Sequence, residues 1–215
     1  QYHLYINARS NFLTMEQQIL ELFTRNTSLK FNEIEKKLKT RSNKLAYHLR
    51  KLVIRGILQR NNAAYALSET SEYLIPYLGA KPAPLPILLI HIGNHKQAFL
   101  IKREKRPYKD MLSLPAGRLL LGESIKQATQ RIMKGKYHSD AKFKSLHSLS
   151  IEHVRKGKTT LHSYVLLFVS ATTTSSLPFT SLRRNKSKII ASDYHLLVND
   201  LRKKTTIPTI ISYTP

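Results

Sequence analysis

A chain of 215 residues can bury two small hydrophobic cores or one large one. Its 36 Lys and Arg against 13 Asp and Glu leave a formal net charge of +23, far more than solubility requires, which points to a polyanionic partner. The absence of cysteine excludes disulfides, thiol catalysis and thiolate zinc sites and fits a reducing, cytoplasmic interior; no apolar run approaches the roughly 18 residues of a membrane span, so no membrane partner is expected.

Residues 1–12 mix aromatic and polar groups without a clear period, as an arm or an extra helix would. In residues 15–24, Ile19, Leu20 and Phe23 have the spacing of an amphipathic helix. Asn32 is placed to cap a second helix over 32–38, with Glu33 and Glu35 in the first turn, where the helix dipole favours them. After a short turn at 39–41 a third helix starts at Ser42; Leu45, Leu49 and Leu52 form its inward stripe and Gly56 ends it. Residues 57–60 and 64–67 then pair as a hairpin around Asn61 and Asn62. Three helices followed by a hairpin, with the passage HLRKLVIRGIL, resemble a winged helix-turn-helix. That resemblance implies nucleic-acid contacts, most simply double-stranded DNA, from Arg41, Ser42, Asn43, Lys44, Tyr47, His48 and Lys51 on and before the third helix and from Arg60 on the wing. A solvated face or a protein-binding face is the alternative.

Three prolines in GAKPAPLP favour a stiff extended spacer, dividing the chain into a first domain (1–78), a linker (79–86) and a second domain (87–215). Residues 1–78 hold 12 Lys and Arg against 6 Asp and Glu, whereas residues 79–215 hold 24 against 7, so the second part is the more basic.

In that part, apolar runs at 86–93 and 97–103 predict a strand pair turning at Gly93 and Asn94. Runs at 146–154 and 161–170 predict two more strands around Lys156-Gly157-Lys158, and 189–201 predicts a closing helix. Between the pairs stands GRLLLGESIKQATQRIMKGK, residues 117–136. It resembles the Nudix box, Gly-x5-Glu-x7-Arg-Glu-apolar-x-Glu-Glu, with Gly117, Glu123 and Arg131 at the family's spacings and LPAG leading in. The three metal-binding glutamates of that pattern are Ile132, Gly135 and Lys136 here. The resemblance therefore implies a retained scaffold (Gly117, Glu123, Arg131) without catalytic residues or a metal. Glu104, Asp110 and Glu152 are the nearby acidic residues, and they form no helical cluster. The nine histidines form no credible metal set, and no glycine-rich phosphate loop is present. Lys136, with Lys134 and Arg118, is positioned to meet a phosphate as a point charge in place of the missing metal.

The expected fold is a two-domain α+β or α/β chain: a winged helix followed by a Nudix-like α/β/α sandwich. The leading functional expectation is a DNA-binding transcriptional regulator whose non-catalytic Nudix-like domain senses a nucleotide such as ADP-ribose or mediates assembly. It resembles Nudix-related transcriptional regulators in reversed domain order, and a palindromic operator would imply a homodimer. The alternatives are a basic scaffold for RNA or nucleoprotein, and a Nudix pyrophosphohydrolase with atypical metal ligands.

Overall fold

The structure, a computed structural model, describes residues 14–71, 74 and 83–212. The expected arm or helix over 1–12 lies outside these residues, as do positions 79–82 of the expected linker. The chain divides into two compact units, Gln1–Ala83 and Pro84–Pro215. Leu85 and Pro86, expected in the spacer, already belong to a strand of the second unit.

The first unit runs α1 (Met15–Leu22), β1 (Leu29–Lys30), α2 (Phe31–Leu38), α3 (Ser42–Ile54), β2 (Leu58–Asn61) and β3 (Ala64–Leu67). Thr14 caps α1 in a reciprocal box with Gln17. The second helix starts one residue before Asn32. Its first turn is held instead by the Glu33 carboxylate, which accepts the Lys30 backbone N–H at 2.6 Å. The short strand β1, too brief to leave a periodic signal, pairs antiparallel with β3 and widens the hairpin to three strands, order β1-β3-β2. Ile19, Ile34, Leu45, Leu49 and Leu52 are fully buried and form the centre of this unit's core.

One carboxylate clamps α1 to α3. Glu16 lies 2.7 Å from the Lys51 ammonium, 3.0 Å from the Arg55 guanidinium and 3.5 Å from His48 Nδ1. Burial pushes the Glu16 carboxyl up, but Lys51, His48 and Arg55 together hold it below the ordinary value.

The second unit is built on a four-stranded mixed sheet of order β8-β4-β10-β9. Strand β4 (Leu85–His91) pairs antiparallel with β8 (Ala116–Arg118) and parallel with β10 (Thr159–Thr173), which pairs antiparallel with the long edge strand β9 (Ala141–Lys156). Side-chain alternation gives each strand two apolar faces. Leu88, Ile90, Leu167 and Val169 pack on one side with Ala128, Ile132 and Met133 of α4 (Ile125–Tyr137). Leu89, Leu166 and Phe168 pack on the other with Leu196 and Leu197 of α5 (Ala191–Asn199).

The turn expected at Gly93 and Asn94 forms, with Asn94 N–H donating to Gln97 O. The strand after it does not stay beside β4. It divides into β5 (Gln97–Phe99), which pairs with β11 (Phe179–Ser181), and β6 (Ile101–Lys102), which pairs with β7 (Leu112–Ser113). The register of β9 on β10 shifts beside His147, which is buried against Phe168. There the segment after α5 returns: His147 Nδ1 lies 2.8 Å from Lys203 O, Thr205 N–H donates to Leu146 O, and the Thr205 hydroxyl donates to His147 O. Among the described residues no helix is long and apolar enough to cross a membrane.

Removing Glu16 leaves Lys51 and Arg55 without their shared anion and His48 without its neighbour. Glu16→Ala is expected to cost the first unit about 1–3 kcal/mol, read from urea unfolding of the full chain followed by circular dichroism. Because the folded carboxyl titrates below its unfolded value, this contribution is present at neutral pH and lost as pH falls through the folded value. A wild-type-like midpoint in the variant would show that the clamp contributes nothing.

Candidate functional site

The box residues form a tight loop-to-helix joint. Glu123 and Arg131 make a two-pronged ion pair, Nε to Oε1 at 2.6 Å and Nη2 to Oε2 at 2.8 Å. The same Nη2 donates to Arg118 O at 2.8 Å, and Leu120 N–H donates to Glu123 at 3.1 Å. Helix α4 is thereby fixed against β8 and the loop that follows it. Ser124 caps that helix through a reciprocal box with Gln127. Close approach is what Gly117 supplies: a Cβ there would stand 2.6 Å from Ile132 Cγ1 and 2.7 Å from Cδ1.

The three positions that carry metal ligands in the Nudix pattern do not suit a divalent cation here. Ile132 is fully buried in the core, and Gly135 faces open space. The Lys136 ammonium donates to Ala116 O at 2.7 Å. Among the described residues no group of three His, Cys, Asp or Glu side chains converges as a metal site. Hard cations require several oxygen ligands, and the side chains at these three positions supply none.

What converges beside the box is positive charge. A cleft of about 360 Å³ is lined by Arg103, Lys105 and Arg106 from the loop after β6, Arg118 from β8, and Lys136 from the last turn of α4. Its apolar floor comes from β4 and β10, chiefly Leu85, Ile87, Leu89 and Leu166. Two tyrosines, Tyr108 and Tyr164, and two carboxyl groups, Glu152 and Asp193, complete it. Burial, and then the charges of Arg131, Lys105, Arg103 and Arg118, hold Lys136 below the ordinary lysine value. Asp193, in the first turn of α5, accepts Leu114 N–H at 2.8 Å and so ties the loop before the box to that helix. Burial first, and the Glu152 charge after it, push Asp193 up to about 7.

Of the residues expected to meet phosphate, Arg118 and Lys136 share this cleft and Lys134 does not. Two residues along a helix is about 200° of rotation. Lys134 accordingly lines a separate groove with Gln130, Asp140 and Lys142, 3.8 Å from the Asp140 carboxylate. Sequence reading missed Arg103, Lys105 and Arg106, although the run KREKR at 102–106 was a visible signal. It also missed Asp193, whose only sequence cue is an acidic residue at a helix start. Asp110 pairs with Lys102 at 3.3 Å outside the cleft, and Glu152 alone of the three acidic residues considered from sequence lines it.

In the first unit the residues expected to meet nucleic acid do not form one free face. Asn43, Lys44 and Tyr47 are exposed along α3, with Arg41 just before it. His48 is half-buried, and it and Lys51 turn to Glu16. The Ser42 hydroxyl donates to Glu35, and Arg60 folds back over Tyr65, 5.7 Å from the ring centre, while donating to Asn62 O.

Among solved structures the chain resembles a NUDIX hydrolase from Nitrosomonas europaea, at 19% identity over 61% of this chain and 98% of that one, with a TM-score of 0.46. It also resembles a MutT NUDIX hydrolase from Burkholderia pseudomallei (14%, 55% and 98%, 0.43) and a UDP-X diphosphatase (15%, 84% and 89%, 0.42). No family model and no curated protein matches. The neighbours are Nudix hydrolases; at these identities and scores they assign this chain neither a family nor an activity. The expectation of a DNA-binding transcriptional regulator is corrected here. The solved structures the chain resembles are hydrolases, and in the first unit His48 and Lys51, which that expectation aimed at nucleic acid, turn to Glu16.

Two outcomes are expected from this geometry. Gly117→Ala should destabilise the second unit by about 1–3 kcal/mol through overpacking, and Ile132→Ala in the same chain should cost less than its own single-variant loss, since the clash is relieved. Strict additivity in that double-mutant cycle would contradict the contact. Asp193 binds a proton more tightly folded than unfolded, so stability should fall as pH rises from about 4 to about 7. Asp193→Asn should flatten that slope in thermal melts, and an unchanged slope would place it elsewhere.

Proposed function

We propose that the second unit binds a nucleotide-type ligand carrying a pyrophosphate, with Lys136 taking the place a metal would hold. The supporting observation is the convergence of five cations in one cleft beside only two carboxyl groups. Such a site is electrostatically incomplete, and an anion relieves the repulsion. The apolar floor and two tyrosines give the uncharged half of a nucleotide a surface that inorganic phosphate does not need. We read this unit as an α/β/α sandwich of Nudix type, with α4 and α5 on opposite faces of the sheet, and the first unit as a winged-helix arrangement in which β1 joins the hairpin.

A second reading, hydrolysis of the bound diphosphate, is supported by Glu152 and Asp193, the two carboxyl groups in the cleft. Asp193, pushed up to about 7, has the proton affinity of a general base at neutral pH.

Calorimetry with ADP-ribose separates the readings. Binding in EDTA, weakened about tenfold or more by Lys136→Ala or Arg118→Ala as loss of a charged hydrogen bond does, with no product formed in magnesium or manganese, is the expected result. Turnover abolished by Glu152→Gln would transfer the conclusion to hydrolysis. Absence of binding under all conditions would remove both.

A further inference from the structure

The proposed ligand site contains one group that phosphate binding does not explain. Glu152 stands in the middle of β9, and its register places it opposite Tyr164 of β10, itself opposite Leu85 of β4. All three line the cleft. A carboxylate here repels a phosphate, so its presence needs another reason. It makes no direct ion pair with the cations: no lysine or arginine among the described residues lies within ion-pair distance of it. One oxygen, Oε1, accepts the Tyr108 hydroxyl at 3.1 Å, and the other has no partner among the described residues. Burial, with the Glu152 charge and hydrogen bond behind it, pushes Tyr108 up to about 12, so the phenol remains the donor of that bond at neutral pH. Tyr108 thus fixes the carboxylate while leaving half of its accepting capacity unspent, and an ionised carboxylate accepts hydrogen bonds and donates none.

We infer that Glu152, oriented by Tyr108, reads an O–H or N–H donor on the nucleoside half of the ligand, making the cleft selective for nucleoside diphosphates over inorganic pyrophosphate. The cations take the diphosphate and the carboxylate takes the ribose hydroxyls or the exocyclic amine of the base. This division of labour rests on the ligand class proposed above and adds to it the residue that discriminates. Glu152 is a specificity residue, and Tyr108 positions it.

The experiment compares ADP, 2′-deoxy-ADP, IDP and inorganic pyrophosphate by calorimetry in EDTA, with the full chain, Glu152→Gln and Tyr108→Phe. In the wild type, ADP should bind more tightly than pyrophosphate. Glu152→Gln should move the two ligands in opposite directions: ADP weakened by about tenfold, as loss of a charged hydrogen bond does, and pyrophosphate tightened because a repelling charge is gone. Tyr108→Phe should weaken ADP in the same direction by less. Loss of discrimination with 2′-deoxy-ADP identifies the sugar as the donor, and loss with IDP identifies the base amine; either supports the inference. Equal wild-type affinity for ADP and pyrophosphate, or a parallel change of both in Glu152→Gln, overturns the role of Glu152 while leaving the anion cleft in place. Failure of the wild type to bind any of the four overturns both.

Discussion

The arrangement of the second unit depends on the pair Glu123–Arg131. An exposed ion pair ordinarily contributes little, but this one is two-pronged and tied at both ends to backbone, through Leu120 N–H and Arg118 O. It closes the loop between β8 and α4 and so decides which groups can meet. With the helix held there, Ile132 comes down on Gly117 and Lys136 reaches Ala116 O. Two contacts from one helix therefore rest on a joint in which neither partner touches the cleft. This explains how the scaffold half of the box pattern can persist when its metal-binding half is absent: the pair is needed to place the helix whatever chemistry follows.

The same placement fits the residues that stand at positions 132 and 136. Returning a glutamate to position 132 would bury a carboxylate in the apolar core, with no partner to offset its desolvation. At position 136 the ammonium is a cation of fixed position, already bonded to a backbone oxygen. Around it the protein adds four more cations instead of removing charge, an arrangement that costs folding free energy through self-repulsion and favours any state in which an anion is present.

Much of this was legible in the sequence where the signal is local. The leucine stripe of α3, the turn at Asn94 and the paired strands of 146–154 and 161–170 follow from spacing and turn chemistry, and each forms, the strands longer than their apolar cores suggest. Spacing also singled out Gly117, Glu123 and Arg131. Partnerships across the chain were not legible. Glu16 meets α3 and its C-cap from 32 to 39 positions away, and no periodicity announces that it will claim Lys51 and His48 from an apparently polar outer face. Asp193 reaches Leu114 from 79 positions away. Lys134 and Lys136 look alike in sequence and are separated only by the rotation of the helix. The strand at 97–103 read as one element because its apolar run is continuous, whereas β11 and β7 compete for its two halves.

The register shift at His147 has a further consequence for how the molecule behaves in a concentrated solution. Strand β9 is sixteen residues long and lies at the edge of the sheet, with Leu149 and Ile151 exposed on it. A straight edge of that length is a template for another chain's strand and for aggregation. The irregularity bends the ladder out of register, and Thr205 occupies the outward-facing oxygens of Leu146 and His147. The chain's own segment after α5 thereby divides a continuous edge into two shorter ones, each a poorer template for another chain's strand.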